Sequence, residues 1–266
     1  MPLIRFPTPA GLVYTIDLSK IADRENPRTV EAPVGGEIQE PVVIEWGDGS
    51  SEVVSSGTFP VHTYTDGTGD VFTVTLRSAT GHLPFCYFNT DGKDMEPTAA
   101  AITTALISID HFAGWMGNNS LRSYGSGIRH TINLEYVDPR IVGLPKYSRL
   151  ANALQYSGIE QPLRSFCFDF VTQSDSFAAT FYRCYGISGP MPSDLFDQHK
   201  LVTTFSQTFG YCSGLTGAPY IFWKADGSLD TDKFPILSTG TNAYMECSAA
   251  IRAQVPAVYG GTMTVS

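Results

Sequence analysis

The sequence predicts a mainly β chain in two parts, a small N-terminal sandwich followed by a short stack of repeats. Three observations lead there. Charged residues make up only 16 % of the 266, whereas 25 Gly, 17 Pro, 16 Phe and 13 Tyr make the chain turn-rich and aromatic rather than charged and helical. Short β-branched segments with period-two character fill the first third. In the second half, aromatic, cysteine and aliphatic residues return at a spacing of 28.

The strands come first along the chain. Leu12-Val13-Tyr14-Thr15-Ile16-Asp17-Leu18 alternates in part, and Pro41-Val42-Val43-Ile44-Glu45-Trp46 is β-branched up to a Gly-Asp-Gly turn. Val71-Phe72-Thr73-Val74-Thr75-Leu76 alternates throughout. Gly- and Pro-bearing stretches such as Glu31-Ala32-Pro33-Val34-Gly35-Gly36 separate them, a spacing that suits a small sandwich. Trp46-Gly47-Asp48-Gly49, then His62-Thr63-Tyr64, then Gly67, Gly69 and the Val71–Leu76 run resemble the motif progression of immunoglobulin-like domains of the polycystic-kidney-disease (PKD) type. The match departs from that family in Phe72, where a Tyr is usual, and in the Gly67-Thr68-Gly69-Asp70 insertion. The resemblance implies a PKD-type β-sandwich over residues 1–88, with an extended Pro-rich arm at its start.

The second half repeats. Phe177, Phe181, Cys184, Ile187 and Gly189 are echoed 28 residues on by Phe205, Phe209, Cys212, Leu215 and Gly217. Ile159, Pro162 and Phe168 mark a diverged copy upstream. Tyr244 and Cys247 repeat Phe209 and Cys212 after 35 residues, the extra length fitting an insertion around Asp226–Asp230. Each unit leaves an apolar face that only its neighbours can cover, so these residues should stack in ladders. The F-x3-F-x2-C-x2-L-x-G spacing resembles the BspA-type leucine-rich repeats of bacterial surface proteins. That implies a solenoid over residues 104–266, reached through a connector at 89–103, with Leu106–Phe112 as its first strand and Ser126-Gly127-Ile128 as a weak copy.

Composition excludes some functions. A net charge of −9 without a Lys/Arg cluster offers no footprint for nucleic acid or an anionic membrane surface. The most apolar window, Ala99–Ile109, is far shorter than the roughly 18 residues of a spanning helix. The first ten residues lack the apolar core of a secretory signal, so no export tag is expected. Cys86, Cys167, Cys184, Cys212 and Cys247 contain no C-x-x-C pair, which argues against a zinc ribbon, a redox motif or a disulfide framework. Three of them share one repeat phase, where a buried, inert thiol is expected, because a nucleophile would be unique.

The motifs with chemical potential have plainer readings. Asp48 between glycines, helped by Asp66 and Asp70, could ligate calcium, but Gly-Asp-Gly is first of all turn chemistry. Neither a Walker lysine nor a G-x-G-x-x-G follows it, so it is no phosphate cradle. His62 is expected to bond locally, and His82, His111, His130 and His199 are scattered singly. No catalytic residue, metal or cofactor is therefore expected, and the chain reads as non-enzymatic. Trp115, Tyr124, Tyr185, Tyr211, Tyr220, Phe222 and Trp223 include rings outside the ladder phase, with Tyr220, Ile221, Phe222 and Trp223 as the candidate interaction patch. The resemblances, with no export tag, lead to the expectation of a structural or binding protein on the surface of a bacteriophage particle, as capsid decoration or tail component. Its partners would be other virion proteins or a host-surface glycan or protein, in many copies. A secreted bacterial adhesin is the alternative.

Overall fold

The computed structural model describes residues 11–21, 28–34, 41–55, 60–65, 67–78, 105–112, 131–137, 150–163, 174–224 and 226–263. The expected connector 89–103, the arm, Asp66, Cys86, Cys167, His82, His130, Trp115, Tyr124, Phe168 and Ser126-Gly127-Ile128 lie outside them.

Strands β1 (Gly11–Asp17), β2 (Thr29–Glu31), β3 (Val42–Glu45), β4 (Ser51–Val54), β5 (Val61–Thr63), β6 (Val71–Ser78), β7 (Leu106–Phe112) and β8 (Tyr136–Val137) occupy the first half. Six of them form one mixed sheet in the order β4-β3-β6-β1-β7-β8, and β2 pairs with β5 separately. Alternation decides which face is covered. Leu12, Tyr14 and Ile16 of β1, Val42 and Ile44 of β3, and Phe72, Val74 and Leu76 of β6 are all buried, while their neighbours in sequence face outward. Antiparallel registers place Tyr14 opposite Val74 and Ile44 opposite Leu76, so the buried sets line up across the sheet.

The sheet runs on into the repeats. β7 pairs antiparallel with β1 and parallel with β8. Past β8, the buried Gln161 side chain takes the place of a neighbouring peptide group. Its Oε1 accepts from Val137 N–H at 2.7 Å and its Nε2 donates to Val137 O at 2.8 Å. Gly158 sits so close to the Ile132 carbonyl that no β-carbon fits there. The same close approach recurs at Gly186 and Gly214, where a β-carbon would lie 2.7 Å from the carbonyl oxygens of Ile159 and Ile187.

From residue 150 onward, units stack through alternate backbone amides. Phe177, Ala179, Phe181 and Arg183 donate to Thr204, Ser206, Thr208 and Gly210 of the next unit at 2.8–3.1 Å, and Phe205, Gln207, Phe209 and Tyr211 do the same one unit on. The intervening amides of Thr180, Tyr182 and Cys184 close turns onto Phe177, Ala179 and Phe181 within the unit, so buried backbone groups find partners. Side chains complete the ladder. Phe177 lies over Phe205 at 5.8 Å and Phe181 over Phe209 at 5.9 Å, nearly parallel in both cases. Ile187 and Leu215 are fully buried in the same core. Thr180 and Thr208 each donate to two backbone carbonyls, that of Phe177 being common to both. The last unit is closed by the C-terminal segment: Asn242 and Tyr244 donate to Val258 and Tyr259, and a one-turn helix at Ala249–Arg252, capped by Ser248, packs beside the Gly214–Thr216 strand.

This architecture corrects the expected one. Six of the strands extend one open sheet, with β2 and β5 paired apart from it, instead of closing a PKD-type, immunoglobulin-like β-sandwich, because β7, expected to open a separate solenoid, adds to the free edge of β1. Period-two alternation identifies a strand and its buried face but not its edge partner. The repeat region likewise lacks the curled parallel sheet of a leucine-rich-repeat solenoid. Among the described residues only β9 (Ser188–Pro190) and β10 (Gly214–Thr216) pair there as strands, with isolated bridges linking Ser176 to Thr204, Thr204 to Thr239, Trp223 to Leu229 and Pro256 to Met263. The physical reason is backbone handedness. Each unit carries two non-glycine residues at φ of +53 to +65°, namely Asn152 and Tyr156, Ala179 and Arg183, Gln207 and Tyr211, Asn242 and Glu246, and these break any extended run. The chain is a mixed β-sheet protein, and neither resemblance describes it.

Candidate binding surface

The Gly-Asp-Gly turn closes the β3–β4 hairpin, with Trp46 N–H donating to Ser50 O. Gly47 and Gly49 both adopt positive φ, and a β-carbon on Gly47 would strike the Thr73 backbone. Asp48 Oδ1 accepts from Ser50 N–H at 2.9 Å and Ser50 Oγ at 2.6 Å, and its Oδ2 accepts from His62 Nε2 at 2.9 Å. Burial by itself pushes the Asp48 carboxyl up, but the Ser50 and His62 hydrogen bonds outweigh it and bring the pKa down to about 2. His62 stacks on Trp46 at 4.7 Å and meets the edge of Tyr64, whose hydroxyl donates to Trp46 O.

A serine, a histidine and an aspartate thus converge without forming a catalytic triad. An ionised carboxylate only accepts, so His62 Nε2 carries the proton it shares with Asp48. Ser50 Oγ lies 3.5 Å from that same nitrogen, whereas a triad needs the serine on the opposite, unprotonated nitrogen. Calcium fares no better here, since Asp70 is paired with Arg28 at 2.8 Å. Among the described residues no group of three His, Cys, Asp or Glu side chains could hold a metal ion. The Asp-x-Ser turn recurs with matching hydrogen bonds at Asp17–Ser19 and Asp226–Ser228, which marks it as local turn chemistry.

Cys184, Cys212 and Cys247 are buried free thiols. Each Sγ donates at 2.9–3.0 Å to a carbonyl one unit back, that of Leu154, Phe181 or Phe209. Burial pushes Cys184 and Cys247 up to about 12 and Cys212 well above the ordinary thiol value. His199 is buried against Phe177 and Phe196.

The tetrapeptide expected as an interaction patch is mostly interior. Ile221, Phe222 and Trp223 are buried, and only Tyr220 stays exposed, at 43 %. Phe222 fills a gap in the ladder. The position equivalent to Phe177 and Phe205 in the last unit is Gly240, and Phe222 lies there, stacked on Phe205 at 5.0 Å and on Tyr244 at 5.9 Å.

A different set of rings stands on the surface. The residues just before Ser157, Cys184 and Cys212 are Tyr156, Arg183 and Tyr211, all at positive φ and all partly exposed while the following residue is buried. The Arg183 guanidinium lies 5.0 Å from the Tyr156 ring centroid, 5.5 Å from Tyr182 and 4.7 Å from Tyr211. Tyr182 meets Tyr156 at 5.9 Å and Tyr211 at 5.3 Å, edge to face, in space left by Gly210. Tyr185, two residues after Arg183, is 58 % exposed. Tyr185 and Tyr211 were visible in the sequence as aromatics outside the ladder phase. Arg183 was not, since nothing in its local sequence distinguishes it from any surface arginine.

Among the described residues no helix is long and apolar enough to cross a membrane. Comparison with protein-family models, with curated proteins and with solved structures finds no match.

Proposed function

We propose that the chain is a non-enzymatic binding protein whose working surface is the tyrosine–arginine face formed by Tyr156, Tyr182, Arg183, Tyr185 and Tyr211. The observation that carries this reading is the arrangement of three tyrosine rings around one guanidinium on a partly exposed face, with the exposed Tyr185 two residues on in the chain. Tyr and Arg are the residue types in which binding energy concentrates, because they bring large contact area and directed polarity at low entropic cost. A face of about five residues binds weakly by itself. Repetition on a particle raises avidity through effective concentration, so the setting we propose is the surface of a bacteriophage particle, as capsid decoration or tail component.

The test is binding of the biotinylated protein, tetramerised on streptavidin, to mixed glycan and peptide arrays. The double variant R183Q/Y185A is run beside it, with unchanged circular dichroism as the folding control. Signals that the wild type shows and the double variant loses support the reading. Signals that survive the double substitution, or no signal on either array, overturn it.

A further inference from the structure

Building on the binding role assigned to this face, we propose that its ligand is a carboxylate-bearing saccharide, with the acid group on Arg183 and the sugar rings on the tyrosines.

Charge complementarity is the first argument. Four arginines are described, and Arg28, Arg77 and Arg252 each pair with a carboxylate of the chain: Asp70, Glu45 and Glu246. Arg183 forms no ion pair with a carboxylate among the described residues, its hydrogen-bond partner being Tyr211, although the chain carries 26 acidic residues against 17 basic ones. Its Nε is buried without an acceptor, and its guanidinium is held between tyrosine rings, which spares part of the entropy of ordering it on a ligand. A planar fork with an unmatched charge suits a carboxylate.

The backbone decides between sugar and peptide. On this face the amides of Tyr156, Arg183 and Tyr211 are spent on Tyr182, Gly210 and Met245 of the adjoining units. These three amides are therefore not free to donate to an extended peptide laid along the column. Recognition is left to ring faces and phenol hydroxyls, which present flat apolar area with a polar rim, as a pyranose does.

The cost of the arrangement supports a use for it. The other left-handed column holds Asn152, Ala179, Gln207 and Asn242, of which Asn is the residue that tolerates this conformation best. The column of Tyr156, Arg183, Tyr211 and Glu246 places larger side chains at φ of 55 to 65° instead, and its one carboxylate, Glu246, lies 3.9 Å from the Arg252 guanidinium.

The experiment is titration calorimetry of the full chain with oligogalacturonate, with a neutral galactose oligomer of equal length, and with polyglutamate. The expected result is saturable binding of the oligogalacturonate that weakens with salt, and at least about tenfold weaker binding of the neutral oligomer, the loss equivalent to roughly 1.4 kcal/mol. R183Q should reduce the affinity for the uronate about tenfold and Y185A by a smaller factor, each without lowering Tm. Equal binding of neutral and acidic sugars, tighter binding of polyglutamate, or no binding of the uronate overturns the proposal. Peptide or neutral-glycan signals on the arrays that R183Q/Y185A abolishes would leave the binding role standing while this assignment fell.

Discussion

Replacing Gly240 by alanine should destabilise the protein, although the usual expectation for Gly→Ala runs the other way. Gly240 has an ordinary negative φ region available to alanine, since it is absent from the positive-φ glycines. Reduced freedom of the unfolded chain alone would then stabilise by about 0.4–1 kcal/mol. The folded state opposes this. An added β-carbon would lie 2.7 Å from Phe222 Cζ and 3.0 Å from Cδ2, with Cε2 closer still. A ring tip can often swing aside, but this one is fully buried and held by Phe205, Tyr244 and the edge of Tyr259. Overpacking of that kind costs about 1–3 kcal/mol, so G240A should lose a net 1 to 2 kcal/mol or so. The partner change F222A opens a cavity and should cost about 3–5 kcal/mol.

The decisive measurement is the double-mutant cycle by equilibrium denaturation. In the F222A background the clash is gone, and G240A should become neutral or slightly stabilising, giving a coupling of about 1.5 kcal/mol or more. A neutral or stabilising G240A in the wild-type background would refute the claim that Phe222 occupies the missing side chain's place.

Two further outcomes follow from the buried chemistry. Asp48 has its folded pKa lowered from 3.8 to about 2, so its contribution is fully present above pH 4 to 5 and is lost as pH falls toward 2. At 1.36 kcal/mol per unit, reduced for solvent screening, this amounts to about 1–2 kcal/mol. Urea unfolding of the wild type between pH 5 and pH 2.5 should show that loss and D48N should show a shallower one, whereas equal acid slopes would remove Asp48 from the account. Cys184, Cys212 and Cys247 should resist iodoacetamide at pH 8 in the native protein and react fully in denaturant, as read by peptide mass spectrometry. Native labelling at the rate of a free peptide thiol would mean that their burial is transient.

Spacing was the most legible feature of the chain. A 28-residue recurrence of Phe, Phe, Cys and Ile or Leu marks positions that meet their counterparts in neighbouring units, because translation along a stack repeats whatever one unit buries. The strands of the sheet were legible for a similar reason, since burial on one face imposes a period of two. What spacing does not encode is pairing at the edges and handedness of the backbone. The addition of β7 to β1 is a contact between segments about 90 to 100 residues apart, and no periodicity announces it. Left-handed residues are usually signalled by glycine, yet of the eight non-glycine ones described here only two are Asn and the other six are Tyr, Arg, Ala, Gln or Glu. The Phe222 insertion escaped for a third reason. A residue outside the repeat took a position inside it, and Gly240 gave no sign in sequence that a ring lay where its side chain would be.

The left-handed positions also connect core and surface. In each unit the residue just before the cysteine-phase position turns through positive φ, so that Tyr156, Arg183, Tyr211 and Glu246 are partly or fully exposed while Ser157, Cys184, Cys212 and Cys247 go inward. Stacking that brings Phe177 over Phe205 must therefore also bring Tyr156, Arg183 and Tyr211 into one outer column. The face does not need a separate scaffold, because the hydrogen bonds that hold the core in register hold the rings in register as well. Substitutions at Arg183 or Tyr185 should accordingly leave the stack intact while altering what it presents, and changes at Cys184 or Cys212 should disturb both. Such a division would let one repeated framework carry different outer columns, with the inner ladder setting stability and the residue before each cysteine setting what is bound.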